Sequence, residues 1–312
     1  MYHIERISDD LYKDIQDLYK SCFNLHESLN SIRLKYDTEK FGLSNIGFIA
    51  KNEKKECAAY YGVFPVILNY EGQDFLIAQS GDTMTAPNHR NQGLFTMLAR
   101  ETYKLCEKEG IKVVFGFPNE KSLPGFKNKL NWEFNGDMRR FVFHVRTIPF
   151  CELSSKFRIL IPAYEKFVKQ RISKYKINFD QINFDAFNYS IVKGHVKKDE
   201  FFFEYKLKRE NTYVVQVNSI QLLVKPNVHL FIGEVSKIDD SQADILIVSV
   251  QKLARRLGCK KIIFTLSQNH WLFNILQAKC TPTRSLPIGF YLINKDINPA
   301  EIQFSNADYD TF

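Results

Sequence analysis

The chain has no apolar run long enough to cross a bilayer. Stretches such as 245–250 (ILIVSV) fall far below the roughly 20 residues that a spanning helix needs. The first stretch, MYHIERISDDLYKDIQ, carries acids and has no apolar block, so it does not read as a secretory signal. Cysteine is sparse and unpatterned. Cys22, Cys57, Cys106, Cys151, Cys259 and Cys280 include no C-x-x-C pair, and none has a histidine at a ligand interval. They read as free thiols in a reducing, cytoplasmic setting rather than as disulfides or a zinc site, and no metal is expected. Polar low-complexity sequence is also lacking. With 45% hydrophobic and 25% charged residues, the 312-residue chain is globular, and at roughly 150 residues per domain it has room for two.

The net charge is +8. Part of it is local: residues 151–178 hold Lys156, Arg158, Lys166, Lys169, Arg171, Lys174 and Lys176 against Glu152 and Glu165. Phe157, Leu160, Ile161, Tyr164, Phe167, Val168, Ile172 and Tyr175 recur there at helical spacing, which makes a basic amphipathic helix. Such a helix can serve nucleic acid or a membrane surface. The plainer reading is a connecting helix with one buried face and one solvated basic face. The 27 Phe and 15 Tyr are spread along the whole chain, and nothing matches an RNA-binding aromatic signature.

Periodicity predicts the elements. Residues 8–22 read as a helix, with Leu11, Ile15, Leu18 and Tyr19 on one face and Ser8 or Asp9 as N-cap. A short helix covers 28–36. Strands at 46–51, 57–70 and 74–85, turned at 52–55 and at Glu71-Gly72, form an antiparallel meander. A helix over 93–109 stops at Gly110. The apolar run 112–117 is a buried strand, parallel to 74–85 or its neighbour. A helix near 120–130 and a strand at 138–146 follow. The second half repeats this order loosely: a helix at 199–209, strands at 212–217, 219–225 and 228–235, a helix at 242–257, a strand at 261–266, a helix at 270–278 and a strand at 288–294. The clearest echo is EGIKVVFGFPN (109–119) against LGCKKIIFTLSQN (257–269), which points to duplication of one α/β unit.

The segment with chemical content is 83–95, TMTAPNHRNQGLF. A strand ends at Thr85 and Pro87 blocks further pairing. A polar turn then leads to Gly93, where the long helix begins. Free N–H groups and the positive dipole end of that helix attract phosphate, Arg90 adds a pairing charge, and glycine lets a bulky anion approach the backbone.

This turn resembles the acyl-CoA pyrophosphate turn of the GNAT N-acyltransferase superfamily, V-x-P-x-x-R-G-x-G-[IL]-[GA]. Thr85 stands in the Val position, followed by Pro87, Arg90, Gly93 and Leu94. The flanking SGDTMTAP and LFTMLARETY, and GFPNEKSLPGFKNKLNW at 116–132, are most similar to GNAT proteins encoded with bacterial surface-polysaccharide genes. The resemblance implies a mixed α/β GNAT sheet flanked by helices, followed by a degenerate GNAT-like unit without such a turn between Val235 and Ile245. It implies domains at 1–150 and 195–312, joined by the basic helix and linker at 151–194. It implies acyl-CoA as co-substrate, bound by Thr83, Met84, Thr85, Arg90, Asn91, Gln92, Gly93, Leu94 and Phe95, with Asn119, Ser122 and Phe126 on a second contacting helix. Three positions depart from the pattern. Asn91 replaces the first glycine of the turn, Phe95 replaces a small residue, and Phe126 stands where a proton-donating tyrosine is common.

The implied reaction is direct attack of a neutral amine on a thioester, which needs a proton acceptor. Asp82, three residues before the strand end, is the first candidate. Glu234 and His270, at a strand end and a helix start of the second half, are the alternatives across an interdomain cleft. Lys35 and Tyr36 fall in the acceptor region of the superfamily, and Tyr60, Tyr61 and Phe64 form an aromatic strand that can stack a sugar or nucleobase. Three readings follow. The first is N-acylation of a nucleotide-linked amino sugar, such as a dTDP-3-amino-3,6-dideoxyhexose, whose anionic nucleotide suits a basic protein. The second keeps the chemistry but takes an aminoglycoside, polyamine or protein amine. The third is a non-catalytic module binding acyl-CoA or nucleic acid. The expected partner is a small-molecule amine, not nucleic acid; homodimer formation stays open.

Overall fold

The structure is a computed structural model that describes residues 1–24 and 27–312. The chain divides into two compact units: Met1–Gly136 with Leu286–Ala300, and Asp137–Ser285 with Glu301–Phe312. The expected boundaries are at 150 and 194; this division falls between Gly136 and Asp137, and residues 286–300 return to the first unit.

The first unit opens with β1 (His3–Arg6), a strand not legible in the sequence, and then α1 (Tyr12–Phe23) and α2 (Leu29–Tyr36). A 3-10 turn at Asp9–Leu11 precedes α1, so the expected Ser8 or Asp9 cap is not formed on the helix itself; α2 is capped by the Ser28 hydroxyl, which accepts from the Ser31 N–H. β2 (Ile46–Lys51), β3 (Cys57–Tyr70) and β4 (Gln73–Thr85) form the predicted antiparallel meander. Glu71 and Gly72 both have positive φ (52° and 79°), the two-residue hairpin geometry that matches strand twist. The helix α3 (Leu94–Lys108) leads to β5 (Val113–Gly116), which lies parallel to β4, and α4 (Leu123–Lys129) follows.

Period-two alternation on β3 sends neighbouring tyrosines to opposite cores. Tyr60 packs with Ile15, Leu18, Ile32 and Tyr36 under α1 and α2; Tyr61 packs with Leu98, Tyr103, Phe126 and Trp132 under α3 and α4.

The second unit takes up most of β6 (Glu133–His144). The basic stretch is not one helix. It is α5 (Phe150–Lys156) and α6 (Ile161–Ile172), separated by a 3-10 turn, with Pro162 in the first turn of α6, where its missing N–H costs nothing. Tyr164, Val168 and Ile172 are buried at i, i+4 and i+8, while Lys166, Lys169 and Arg171 are exposed. After α7 (Phe184–Phe187), β7 (Gly194–Val196) and α8 (Glu200–Leu207), the chain forms β8 (Tyr213–Val217), β9 (Ile220–Pro226), β10 (Leu230–Val235), α9 (Ala243–Arg256) and β11 (Lys261–Leu266). This repeats the order β2, β3, β4, α3, β5, including a parallel last pair. The two helix ends are alike in detail. Gly110 and Gly258 both have positive φ, and the next N–H, of Ile111 or Cys259, reaches back five residues to Cys106 or Ala254 at 2.9 Å. That is a Schellman ending in both copies. The fold is thus a GNAT-like mixed sheet flanked by helices, followed by a second, degenerate unit of the same kind.

After α10 (Phe273–Gln277), the strand β12 (Thr283–Leu292) carries the chain back to the first unit, where Gly289, Phe290, Tyr291 and Leu292 pair antiparallel with β5. Tyr291 stacks on Tyr103 at 4.2 Å. The short β13 (Ile302–Gln303) pairs parallel with β7. A Cβ at Gly289 would stand 2.7 Å from the rings of both Trp132 and Phe134. Gly289→Val is therefore expected to destabilise the protein by about 1–3 kcal/mol through overpacking. An unchanged thermal midpoint by calorimetry would show that this strand is not docked on β5.

Candidate active site

β4 and β5 are paired over two positions, Ala78 with Val114 and Gln79 with Phe115. β4 then continues for six residues to Thr85 without a β5 partner among the described residues, so its edge is open from Ser80 onward. Opposite this edge β4 carries a bulge. Asp82 and Thr83 together face Tyr61 alone, and Asp82 takes a left-handed backbone (φ 53°). The bulge turns side chains that strict alternation would keep together. Ser80 reaches Tyr61 on the α3 side, whereas Asp82 reaches Lys35 and Tyr36 of α2.

The open edge leads into the turn picked out in the sequence. Pro87–His89 form a 3-10 turn, Arg90 is extended, Asn91 and Gly93 have positive φ (63° and 75°), and α3 begins at Leu94. Asn91, in place of the usual glycine, fits because asparagine tolerates the left-handed region better than other residues with a Cβ. A Cβ at Gly93 would meet nothing within 4 Å. Glycine is thus needed there for conformation, and the space above it is free for an anion. No side chain caps α3, so the N–H groups of its first turn keep their hydrogen-bonding capacity. Arg90 is exposed, with its Nε 3.5 Å from the Thr85 carbonyl. His89 is turned away, with its Nδ1 2.9 Å from the Tyr2 hydroxyl.

The second expected donor helix is built differently from the turn. Asn119 Oδ1 accepts from the Lys121 and Ser122 N–H groups at 3.0 and 3.1 Å, and so shapes the bend before α4. Phe126 is buried between Phe95, at 5.2 Å, and Trp132, at 4.4 Å. Phe95, in place of a small residue, thus fastens the start of α3 to α4. Met84 is buried in the α1–α2 core.

Asp82 is enclosed. One carboxylate oxygen pairs with the Lys35 ammonium and the other accepts from the Tyr36 hydroxyl at 3.2 Å; the Lys35 and Asp82 side chains are 11% and 7% exposed. Lys35 also donates to the Tyr19 hydroxyl at 3.4 Å and sits 5.0 Å above the Phe64 ring. Tyr36, Tyr60, Tyr61 and Phe64 are at most 3% exposed, so these rings are core and none offers a face for stacking an acceptor. A buried hydroxyl chain went unrecognised in the sequence: Trp132 Nε1 to Tyr103, Tyr103 to Tyr61, and Tyr61 to Ser80, each at 2.8 Å. No spacing signals it, because its members lie on three different elements and the segment after α4.

Glu234 and His270 do meet, at 3.6 Å, but inside the second unit with Lys198 and Asp308, all at most 5% exposed. His270 Nδ1 accepts from the Leu272 N–H, so its Nε2 carries the proton toward Glu234. Burial pushes the Glu234 carboxyl up, but His270 and Lys198 outweigh it and hold the group below the usual range. The equivalent opening in this unit is filled. The β10–β11 pairs end at Ile232–Phe264, and the chain's last residues contact both strands. Ser305 bridges to Leu266, Phe304 exchanges hydrogen bonds with Ser267, and the Phe312 ring covers Gly233. Between β10 and α9 none of the described residues has positive φ.

The parted β4 edge, the uncapped start of α3 and the exposed Arg90 lie together on the first unit. Residues 3–135 match the acetyltransferase (GNAT) domain family, and the chain is an acyl-CoA-dependent N-acyltransferase on that domain. A search of curated proteins finds no match. Among solved structures, the fold is similar to a GCN5-related N-acetyltransferase from Kribbella flavida (TM-score 0.61, 15% identity, 94% of this chain and 71% of that one). It is also similar to a putative acetyltransferase from Pyrococcus horikoshii (0.55, 11%, 96% and 92%). A third is the N-myristoyltransferase of Saccharomyces cerevisiae with bound myristoyl-CoA (0.59, 13%, 96% and 82%). No helix among the described residues is long and apolar enough to cross a membrane, and no cluster of metal-ligating side chains occurs among them.

Gly93→Asp places a carboxylate in the open space above the turn, in a residue type that tolerates positive φ. It is expected to weaken CoA binding by about 100-fold or more while the protein stays folded. Calorimetric titration should give one CoA per wild-type chain. Two CoA per chain, or full affinity in the folded variant, would put the donor site elsewhere.

Proposed function

We propose that the protein transfers an acyl group from acyl-CoA to the amine of a nucleotide-linked amino sugar, of the dTDP-3-amino-3,6-dideoxyhexose kind. The observation that carries the transferase chemistry is the open β4 edge leading into the Arg90–Gly93 turn. The pyrophosphate lies on the α3 N-terminus, and the pantetheine arm runs along the edge from Thr85 toward Ser80. The acceptor class rests on the likeness of SGDTMTAP and GFPNEKSLPGFKNKLNW to polysaccharide-associated sequences, and on a charge of +8 that suits an anionic nucleotide. Thr83, Asn119 and Ser122 join the donor contacts in this reading. The six unbridged cysteines suit a cytoplasmic site of action.

Asp82 is the proton acceptor in this reading, because it is the one ionisable side chain on β4 beyond the last β5 pair. To take the amine proton it must release Tyr36 or Lys35. Asp82→Asn is expected to lower kcat by about 10²–10⁴-fold with nearly unchanged acyl-CoA affinity. It also removes the carboxylate that Lys35 pairs with, a loss of about 3–5 kcal/mol for a buried pair. The double variant Asp82→Asn with Lys35→Met should regain stability but not kcat. Full activity in either variant would remove Asp82 from the chemistry.

The acceptor is tested by thiol release from acetyl-, butyryl- and myristoyl-CoA with dTDP-3-amino-3,6-dideoxyglucose, kanamycin, spermidine and a peptide amine. The highest kcat/KM is expected with the nucleotide sugar. A preference for the polyamine or aminoglycoside would overturn the acceptor class but leave the transferase intact.

A further inference from the structure

The hydroxyl chain from Trp132 to Ser80 has a direction set by its chemistry. An indole N–H can only donate, so the Tyr103 oxygen accepts from Trp132. The single Tyr103 proton then points to the Tyr61 oxygen, and the Tyr61 proton to Ser80 Oγ. Reversing the last link would aim two donors at Tyr61 and leave its own proton without an acceptor in a fully buried residue, which buried hydroxyls avoid. The Ser80 proton is therefore the one in this chain left to bond something else. Burial pushes the Tyr61 and Tyr103 hydroxyls up, so both stay protonated and the chain stays neutral.

Ser80 is also the first β4 residue beyond the last β5 pair, half-buried and on the side of α3 and α4. On that side α4 presents Phe126, which has no proton to give. We infer that Ser80 is a catalytic residue that donates its free O–H to the thioester sulfur of the acyl donor; this rests on the donor-site reading above. As the amine nitrogen bonds to the carbonyl carbon, the C–S bond breaks and its electron pair stays on sulfur. The amine proton goes to the proton acceptor and then to solvent, and CoA departs as a thiolate held by the serine hydroxyl. Tyr61 and Tyr103 act as positioning residues, each polarising the next O–H along the chain.

The test needs no amine acceptor. CoA and desulfo-CoA are titrated calorimetrically between pH 7 and 9.5 into the wild type, Ser80→Ala and Tyr61→Phe. A donor to sulfur favours the thiolate, so the bound thiol ionises below the free one and CoA affinity rises with pH. About a tenfold gain is expected for the wild type, from a charge-assisted hydrogen bond, with none for desulfo-CoA. Ser80→Ala should lose the gain while binding acetyl-CoA normally, and Tyr61→Phe should keep only part of it. A wild-type gain retained in Ser80→Ala, or no gain in a wild type that binds both ligands, overturns the serine assignment alone. Failure of the wild type to bind either ligand overturns it together with the donor site.

Discussion

The site depends on the parting of β4 from β5 after Gln79. A parallel ladder of two pairs holds the strands at one end, and the free edge of β4 beyond it exposes backbone and side chains that a full ladder would cover. The bulge at Asp82 adds a second consequence. Ser80 and Asp82 share strand parity, yet the extra residue and the left-handed turn send them to opposite faces. A hydroxyl is delivered to the α3–α4 side and a carboxylate to the α1–α2 side of one open edge. The strand then runs directly into the Arg90–Gly93 turn, so that turn and the open edge are one continuous piece of backbone.

The second unit repeats the same fold with its strand opening filled. Its strands part after Ile232–Phe264, but the last residues of the chain lie against both of them, and Phe312 covers the glycine at the β10 bulge. Among the described residues, the turn before α9 has no counterpart of the left-handed Asn91 and Gly93. Lys198, Glu234, His270 and Asp308 satisfy one another in the interior. A buried network of this kind is strongly disturbed by losing one member, because the remaining charges have no water to turn to. Its members therefore read as structure.

Much of the fold was legible because its causes are local. The Glu71-Gly72 hairpin, the glycine stops at 110 and 258 and the strand–turn–helix at 85–94 each rest on the φ preference of a few adjacent residues. The parallel placement of β5 follows from a helical crossover. Asn91 looked like a defect in the turn and is a substitute, since it takes the positive φ that the position demands.

The chemistry of the side chains was less legible. Tyr60, Tyr61 and Phe64 read as an aromatic platform in the sequence, and packing on both faces of β3 makes them core. Lys35 meets Asp82 across 47 positions of sequence, and Ser80, Tyr61, Tyr103 and Trp132 come from β4, β3, α3 and the segment after α4. Strand β12 crosses some 170 residues of sequence to complete the first unit (about the span of a domain) beside β5. By itself, then, the sequence determined most of the elements, the strand–turn–helix at 85–94 and the repeated order of the two halves, because short-range conformational preference is written in neighbouring residues. The partners of Asp82 and Ser80 were decided only in the tertiary structure. They depend on strand register, and one bulged residue in β4 is enough to exchange the face on which a side chain finds its partner.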